Sequence, residues 1–352
     1  MMKARNRPLA RYWLGGHGHS PSVYRAILTD KPFPIRALIV EANNPLLGFP
    51  NTKLIYEAMR KVAFHVNMDI FMTPSALLAD YVLPAACYLE KPYMSEWDFF
   101  SFFDVSEAAI NPLYERKPEY YFWRELGLRL GQKEYWPWKT LEEAYDYRLA
   151  PMGLTFKQAA ERGTFHSAVE FKKYEKKGFG TPTGKVELYN TTLEELGLDP
   201  LPGWQEWSHG LTPALTQKYP LILITGARNI VYSLSNQRQI ISVRKRSPDP
   251  RAQLNPAKAQ ELGIDNGDWV WIETHLGRVK FKCQYFEGIL PNVVSAEYGW
   301  WFPEDPAQEP SLHGLWKSNI NAVLPDDPDS CDPATGAWVL KGVRCKVYKA
   351  MD

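Results

Sequence analysis

The sequence predicts an α/β region followed by a β-rich one, and three observations carry that reading. First, RALIVE at 36–41 is a continuous apolar run, the pattern of a strand buried on both faces of a parallel sheet, and it stops at the polar turn Asn43-Asn44-Pro45. Second, the stretch Leu254–Trp301 holds a complete short helix followed by runs of β-branched and aromatic residues separated by turns. Third, LDPLPGWQEWSHGLTP at 198–213 is dense in Pro and Gly and marks a domain boundary between the two regions. A chain of 352 residues exceeds one ordinary core, so two or three domains are expected.

Taken in order, residues 1–35 are rich in Gly, Pro and His and read as loop, with a short helix at Pro21–Leu28. His17 and His19 lie two residues apart without a Cys or carboxylate beside them, which suits a solvated loop better than a metal site. After the Arg36–Glu41 strand, Asn51 caps a helix at 52–62, and a second strand runs over 64–68 to Asp69, completing a βαβ unit. A short helix at 75–79 leads through Asp80, a turn or cap residue, to a third strand at 81–83 closed by Pro84. Ligands of open α/β sheets sit beyond the carboxyl ends of strands, where Asn43, Asn44 and Asp69 fall. The recurrence of amide and acid at successive strand ends suits a reader of nucleotide edges, although no GxGxxG fingerprint of a nicotinamide site is present.

Between Glu90 and Trp207 aromatics crowd the sequence (EWDFFSFFDV, EYYFW, EYWPWKTL), and a helix is expected over 118–130, stopped by Gly131. TPTGKVELYNTTLEELG at 181–197 reads as a turn, a strand and a short helix. The last region opens with the strand YPLILIT at 219–225, then a polar loop, NIVYSLSNQRQI, which is either ordinary or a surface for phosphates and bases. Asn255 caps a helix with Pro256 at its first position and Gly263 as its left-handed stop. Strands are expected at 269–274, 278–285 and 293–298 as a meander, with a last strand at 342–348.

Composition narrows the functions. Lys plus Arg (41) nearly balances Asp plus Glu (40), which argues against a general nucleic-acid binder. The four cysteines, Cys87, Cys283, Cys331 and Cys345, form no CxxC pair and so encode neither a zinc knuckle nor an iron–sulfur site. No apolar run approaches a membrane span, and the basic start lacks the apolar core of a signal peptide. The chain reads as soluble, with cytoplasmic residence and export under a signal preceding Met1 both left open.

Six segments in one order now become informative: IRALIVEANNPLLGFPN, MDIFMTPSALLADYVLPAACYLEK, TPTGKVELY, YPLILITGAR, LNPAKAQELGIDNGDWVWIETHLGRVKFK and NINAVLPDDPDSCDPATGAWVLK. Together they resemble the C-terminal half of the molybdopterin oxidoreductases of the dimethyl sulfoxide reductase type. The resemblance implies residues 1–95 as the second half of a Rossmann-like domain, 96–207 as connecting structure and 208–352 as a six-stranded double-psi-type β-barrel. It implies molybdopterin guanine dinucleotide as cofactor, with molybdenum or tungsten. Asn44 then stands near the guanosine of one dinucleotide, and Asp69 matches the family's aspartate after the next strand. Glu119 falls where an acid meets a guanine, whose N1–H and amino group a carboxylate can accept together. Arg228, Ser233, Ser235 and Asn236 fall in the loop that touches phosphates and pterin, Tyr298 approaches the cofactor, and Asn321 and Lys341 lie near the second dinucleotide. Tyr298, Trp300 and Trp301 equally suit barrel core.

The family's cysteines for a four-iron cluster and its metal-ligand segment have no counterpart in these residues. The expectation is therefore a fragment or one part of a split enzyme, without turnover alone, whose partners are an N-terminal catalytic segment or companion subunit and an iron–sulfur electron-transfer subunit. The metal and pterin would carry the redox chemistry while these residues bind and orient them. Two alternatives stand beside it: a non-catalytic module that binds a guanine dinucleotide or pterin, and part of a non-redox hydratase of the same family.

Overall fold

The structure is a computed structural model that describes residues 19–95, 102–201, 203, 213–227, 229–232, 234–327, 331–332, 336–338 and 340–351. Two compact units form. The first comprises Met1–Asn67, Phe71–Tyr81 and Tyr189–Asp352, and the second Met68–Ile70 and Val82–Leu188.

The first unit begins with a helix at Ser20–Thr29, then strand β1 (Ala37–Glu41), a one-turn helix at Pro45–Gly48 and a helix at Thr52–Lys61. Asn51 caps that last helix as expected, its side chain accepting from the Leu54 amide. Strand β2 (Phe64–Asp69) and β3 (Tyr81–Pro84) complete a parallel three-stranded sheet of order β1-β2-β3; Met68 and Asp69 of β2 and Val82, Leu83 and Pro84 of β3 are counted with the second unit. Its burial corrects the hydropathy reading. In β1 only Val40 is buried, because β1 lies at the sheet edge, whereas five of the six residues of the central β2, FHVNMD, are buried. The expected helix at 75–79 is a 3-10 turn at Ala76–Leu78, and Asp80 accepts from the His65 amide at 2.7 Å, a local structural bond.

A closed six-stranded barrel makes up the rest of this unit. Its strands are β7 (Leu221–Ala227), β8 (Arg251–Leu254), β9 (Trp269–Thr274), β10 (Gly277–Tyr285), β11 (Val293–Glu297) and β12 (Lys341–Lys349), in the order β10-β8-β11-β7-β12-β9. The β9–β10 hairpin forms as read, but the expected meander does not: β11 pairs with β7 in parallel and with β8 antiparallel. β8 is a four-residue strand that the sequence reading missed, too short to show an alternating pattern. Side chains alternate as a small barrel requires, with Val270 and Ile272, Val279 and Phe281, and Val343, Cys345 and Val347 turned inward. Full burial of one such aliphatic or aromatic side chain is worth roughly 1.5–3 kcal/mol, so the interior is the main source of this unit's stability. The helix at Pro256–Glu261 starts from the Asn255 cap, with Gly263 left-handed behind it at φ 66°.

The second unit packs Met94, Val105, Leu149, Phe156, Ala159 and Phe165 into its own core. A small antiparallel sheet, β4 (Tyr93–Met94), β5 (Phe102–Ser106) and β6 (Thr164–His166), carries part of it. The helix at Glu119–Arg129 matches the expected one within a residue at each end. Its Gly127 lies hard against Trp136, where any Cβ would overlap the indole. No strand forms within 181–190; those residues are turns, bends and irregular chain ahead of a short helix at Thr191–Glu195.

Burial holds the His65 imidazole below its ordinary pKa of 6.5, opposed in part by the Leu78 backbone and by Asp80. The unfolded chain therefore takes up a proton that the folded chain resists. The contribution of His65 to stability is complete above about pH 6.5 and is lost as the pH falls through that value toward the folded pKa. Thermal melts at pH 7.5 and 5.5 should show a larger acid loss for the natural chain than for His65→Leu. Equal losses would remove His65 from the account.

Candidate cofactor site

Two places in the structure gather the chemistry that the sequence anticipated, one in each unit. In the first unit the polar turn after β1 meets a barrel loop 191 residues away. Asn44, buried at the start of the Pro45–Gly48 turn, accepts from Ser75 Oγ at 2.6 Å through its Oδ1 and reaches Ser235 Oγ with its Nδ2 at 3.5 Å. Ser75 also accepts from the Leu46 amide. Gln239, on the same barrel loop, donates to the Met72 carbonyl in the turn after β2. The loop over 234–239 therefore lies across the segments that follow both β1 and β2, where open sheets place ligands.

A buried arginine shapes this loop. Arg238 is 1% exposed, stacks 4.1 Å from the ring centres of both Tyr232 and Trp300, and donates to the carbonyls of Gly299, Tyr298 and Leu234. Burial pushes its pKa down to about 10, so it stays protonated at neutral pH. Nearby, Glu297 accepts from Asn229, Arg251 and the Trp300 indole, which fixes the end of β11.

In the second unit a cavity of about 770 Å³ is lined by Met68, by Leu83 and Pro84 at the end of β3 and Ala85 after it, and by residues of the Glu119–Arg129 helix. That volume falls within the range of small-molecule and cofactor sites. Glu119 stands in the first turn of its helix and pairs with Lys91 at 2.6 Å. The loop Leu113–Lys117, which supplies Tyr114, Glu115 and Lys117 to the wall, is anchored by the buried Glu90. Glu90 accepts from the Cys87 and Leu113 amides and pairs with Arg116, and these donors, Cys87 first, hold its carboxyl below the ordinary range.

The anticipated residues thus separate. Asn44 and Ser235 come together, with Asn236 half-buried on the same loop. Asp69 ends β2 next to the cavity-lining Met68, and its carbonyl accepts from Ala85. Tyr298 packs half-buried against the barrel core, where its carbonyl serves Arg238; Trp300 and Trp301 are fully buried. Asn321 is buried and donates to the Leu47 carbonyl at 2.7 Å, so its amide nitrogen is committed to the fold. Lys341 is exposed at the start of β12, opposite Ile224. Arg228 and Ser233 lie outside the described residues, as does His17. The His19 ring is engaged by Ser22 and the Gly336 carbonyl. Ser75, Lys91, Arg238 and Gln239 were missed, because a Ser before a turn or a charge in a polar loop carries no local sign of burial.

Each unit by itself offers groups that suit a polar nucleotide. In the second, the cavity sets Glu115, Glu119 and Glu125 among apolar walls. In the first, the Asn44–Ser75–Ser235 cluster offers hydroxyl and amide groups, and the fully buried Asn67 on β2 has neither its amide nitrogen nor its oxygen paired among the described residues. Among the described residues no three His, Cys, Asp or Glu side chains group as a metal site, and no helix is long and apolar enough to cross a membrane.

Comparison with known proteins places both sites in matched segments. Residues 15–129 match the molybdopterin oxidoreductase family, and residues 221–343 match the molydopterin dinucleotide binding domain. The first segment contains the whole cavity lining together with Asn44, and the second contains Ser235 and Arg238. Acetylene hydratase of Syntrophotalea acetylenica is 37% identical over 335 residues, covering 93% of this chain and 46% of that protein. Dopamine dehydroxylase of Eggerthella lenta is 27% identical over 97% of this chain and 40% of its own length. The molybdopterin-containing subunit of thiosulfate reductase from Salmonella typhimurium is 26% identical over 89% and 44%. The solved structure of acetylene hydratase from Pelobacter acetylenicus superposes with a TM-score of 0.88 at 36% identity, over 95% of this chain and 47% of that one. The chain spans about half the length of the relatives it matches.

The buried asparagine pair beside this site carries a stability prediction. Asn319 and Asn321 serve the Leu46 and Leu47 carbonyls, and Asn321→Ala leaves the Leu47 carbonyl without that donor. A buried polar group left unpaired costs about 1–3 kcal/mol. Urea denaturation should show a loss of that size for Asn321→Ala; an unchanged midpoint would show that the bond contributes nothing.

Proposed function

We propose, for a chain that belongs to the molybdopterin oxidoreductase family, that it is the C-terminal cofactor-binding portion of a bis(molybdopterin guanine dinucleotide) enzyme. The observation that carries this reading is the cavity of about 770 Å³ beside Glu119, which lies wholly inside the matched segment and sets Glu115, Glu119 and Glu125, with Lys117 and Arg129, among apolar walls. In this reading residues 1–95 carry a Rossmann-like half-domain, 96–207 connect, and 208–352 cap the cofactor. Glu119, braced by Lys91, would accept from a guanine edge, and Asp69 would lie at the same strand end. Separately, within the first unit, Asn44, Ser235, Asn236 and Tyr298 would contact pterin or phosphate groups, with Arg228, Ser233, Asn321 and Lys341 as further contacts. Bound there, the group would supply electron or oxygen-atom transfer at its metal. The contribution of this chain is binding, orientation and the exclusion of water. A companion catalytic polypeptide and an electron-transfer partner would complete the enzyme.

A second reading takes support from the two acetylene hydratase likenesses, at 37% and 36% identity. In that case the whole enzyme would add water rather than transfer electrons. Product formation from acetylene by the complete enzyme without a stoichiometric electron acceptor would favour it.

The binding reading is tested by expressing the chain in a host that makes molybdopterin guanine dinucleotide. The purified protein should release a fluorescent pterin after oxidation and GMP after acid hydrolysis, below one equivalent each. Glu119→Gln should lower both by roughly tenfold or more, since hydrogen bonds to a charged group are worth about 1.5–3 kcal/mol. Wild-type protein with no more pterin than an unrelated protein from the same host would sink the proposal.

A further inference from the structure

We infer that Arg238 is a positioning residue of the cofactor face: it locks the barrel loop that carries Ser235 and Asn236 onto the turn after β11. The inference rests on the binding reading above for its consequence, but its geometry is independent of any ligand.

The loop cannot hold its shape by local preference. Leu234 and Gln237 are non-glycine residues at φ 54° and 67°, a left-handed conformation that costs free energy unless the surroundings impose it. Those surroundings are specific. Arg238 Nε donates to the Gly299 carbonyl at 2.7 Å, and its Nη2 reaches the carbonyls of Tyr298 and Leu234 at 3.4 and 3.3 Å. Trp301 Nε1 donates to the Ser235 carbonyl at 2.7 Å. The turn approaches so closely that a Cβ on Gly299, itself at φ 75°, would lie 3.1 Å from Leu234 C and O and from Ser235 N.

No carboxylate bonds Arg238 among the described residues, so the guanidinium is set against main-chain oxygens and two aromatic faces. A planar fork with donors in several directions suits that arrangement, and a lysine does not. Arg238 is also 1% exposed, so it does not face open space. It acts through the loop. Its two ties, to the segment before Ser235 and to Tyr298–Gly299, decide where the Ser235 hydroxyl meets Asn44.

The experiment compares hydrogen exchange and cofactor load in the full-length chain. Arg238→Ala should speed amide exchange at least tenfold in both 234–239 and 298–301 and leave β9 and β10 unchanged. Millimolar guanidinium should restore the protection, whereas urea, similar in shape but uncharged, should not. Pterin load in the molybdopterin-making host should fall at least tenfold. Unchanged exchange in either segment, rescue by urea as readily as by guanidinium, or an undiminished pterin load would each overturn the inference. If Arg238→Ala does not fold, Gly299→Ala decides: it keeps Arg238 but forces the segments apart, and it should give the same exchange and load phenotype, normal behaviour overturning the inference. A wild-type chain without pterin would overturn the binding reading and the role in cofactor placement that rests on it, while the exchange comparison would still uphold or reject the loop lock.

Discussion

A buried main-chain carbonyl must find a donor, and much of the first unit is arranged around that constraint. The one-turn helix at Pro45–Gly48 is too short to satisfy its own carbonyls, yet Pro45, Leu46 and Leu47 are buried. The missing donors come from nearly three hundred residues further on. Asn319 donates to the Leu46 carbonyl and to Thr52 Oγ1, and Asn321 donates to the Leu47 carbonyl. The reverse tie, from the Asn51 amide to the Leu324 carbonyl, closes the exchange. Arg25 and Asn51 both bond Asp326 on the same segment. These bonds fix the turn after β1 against the barrel, and only then can Asn44 meet Ser235.

The legible parts of this chain are those whose cause is local. Asn51 and Asn255 sit before helices they cap, Gly263 stops one, and the β9–β10 hairpin follows from its alternation and its turn. What failed was decided at long range. Hydropathy placed the apolar RALIVE in the interior, but sheet order leaves it at the edge and buries the mixed FHVNMD, because the central strand is covered whatever its composition. The strand expected within 181–197 has the right residues and no partner strand among the described residues, and an isolated strand is not stable. The meander failed because β8, four residues long, inserts between β10 and β11.

The candidate site divides in the same way. Asn44 and Asp69 stood out as candidates because strand ends have recognisable sequence grammar, whereas the resemblance alone pointed to Glu119, Ser235 and Asn236. The residues that make the site rigid could not. Arg238 reads as one charge in SNQRQI, Lys91 as one in a connecting segment, and Ser75 as a residue before a turn. Their burial and partners arise from packing that brings together segments from 28 residues apart, as for Lys91 and Glu119, to 61, as for Arg238 and Gly299.

This division has a physical reason. A side chain that will contact a ligand must be presented from a place the chain can reach by ordinary turns, so its position follows local rules. A side chain that sets the contact geometry works by pairing groups the fold has already buried. Such pairing is favourable only after the fold has excluded water from both partners. Arg238 illustrates the sequence of dependence: without the barrel there is no Tyr298–Gly299 turn to grip, and without the grip the left-handed Leu234 and Gln237 would relax. The loop is thus held by the barrel rather than by its own residues, and the same polar stretch lifted out of this context would carry no defined site.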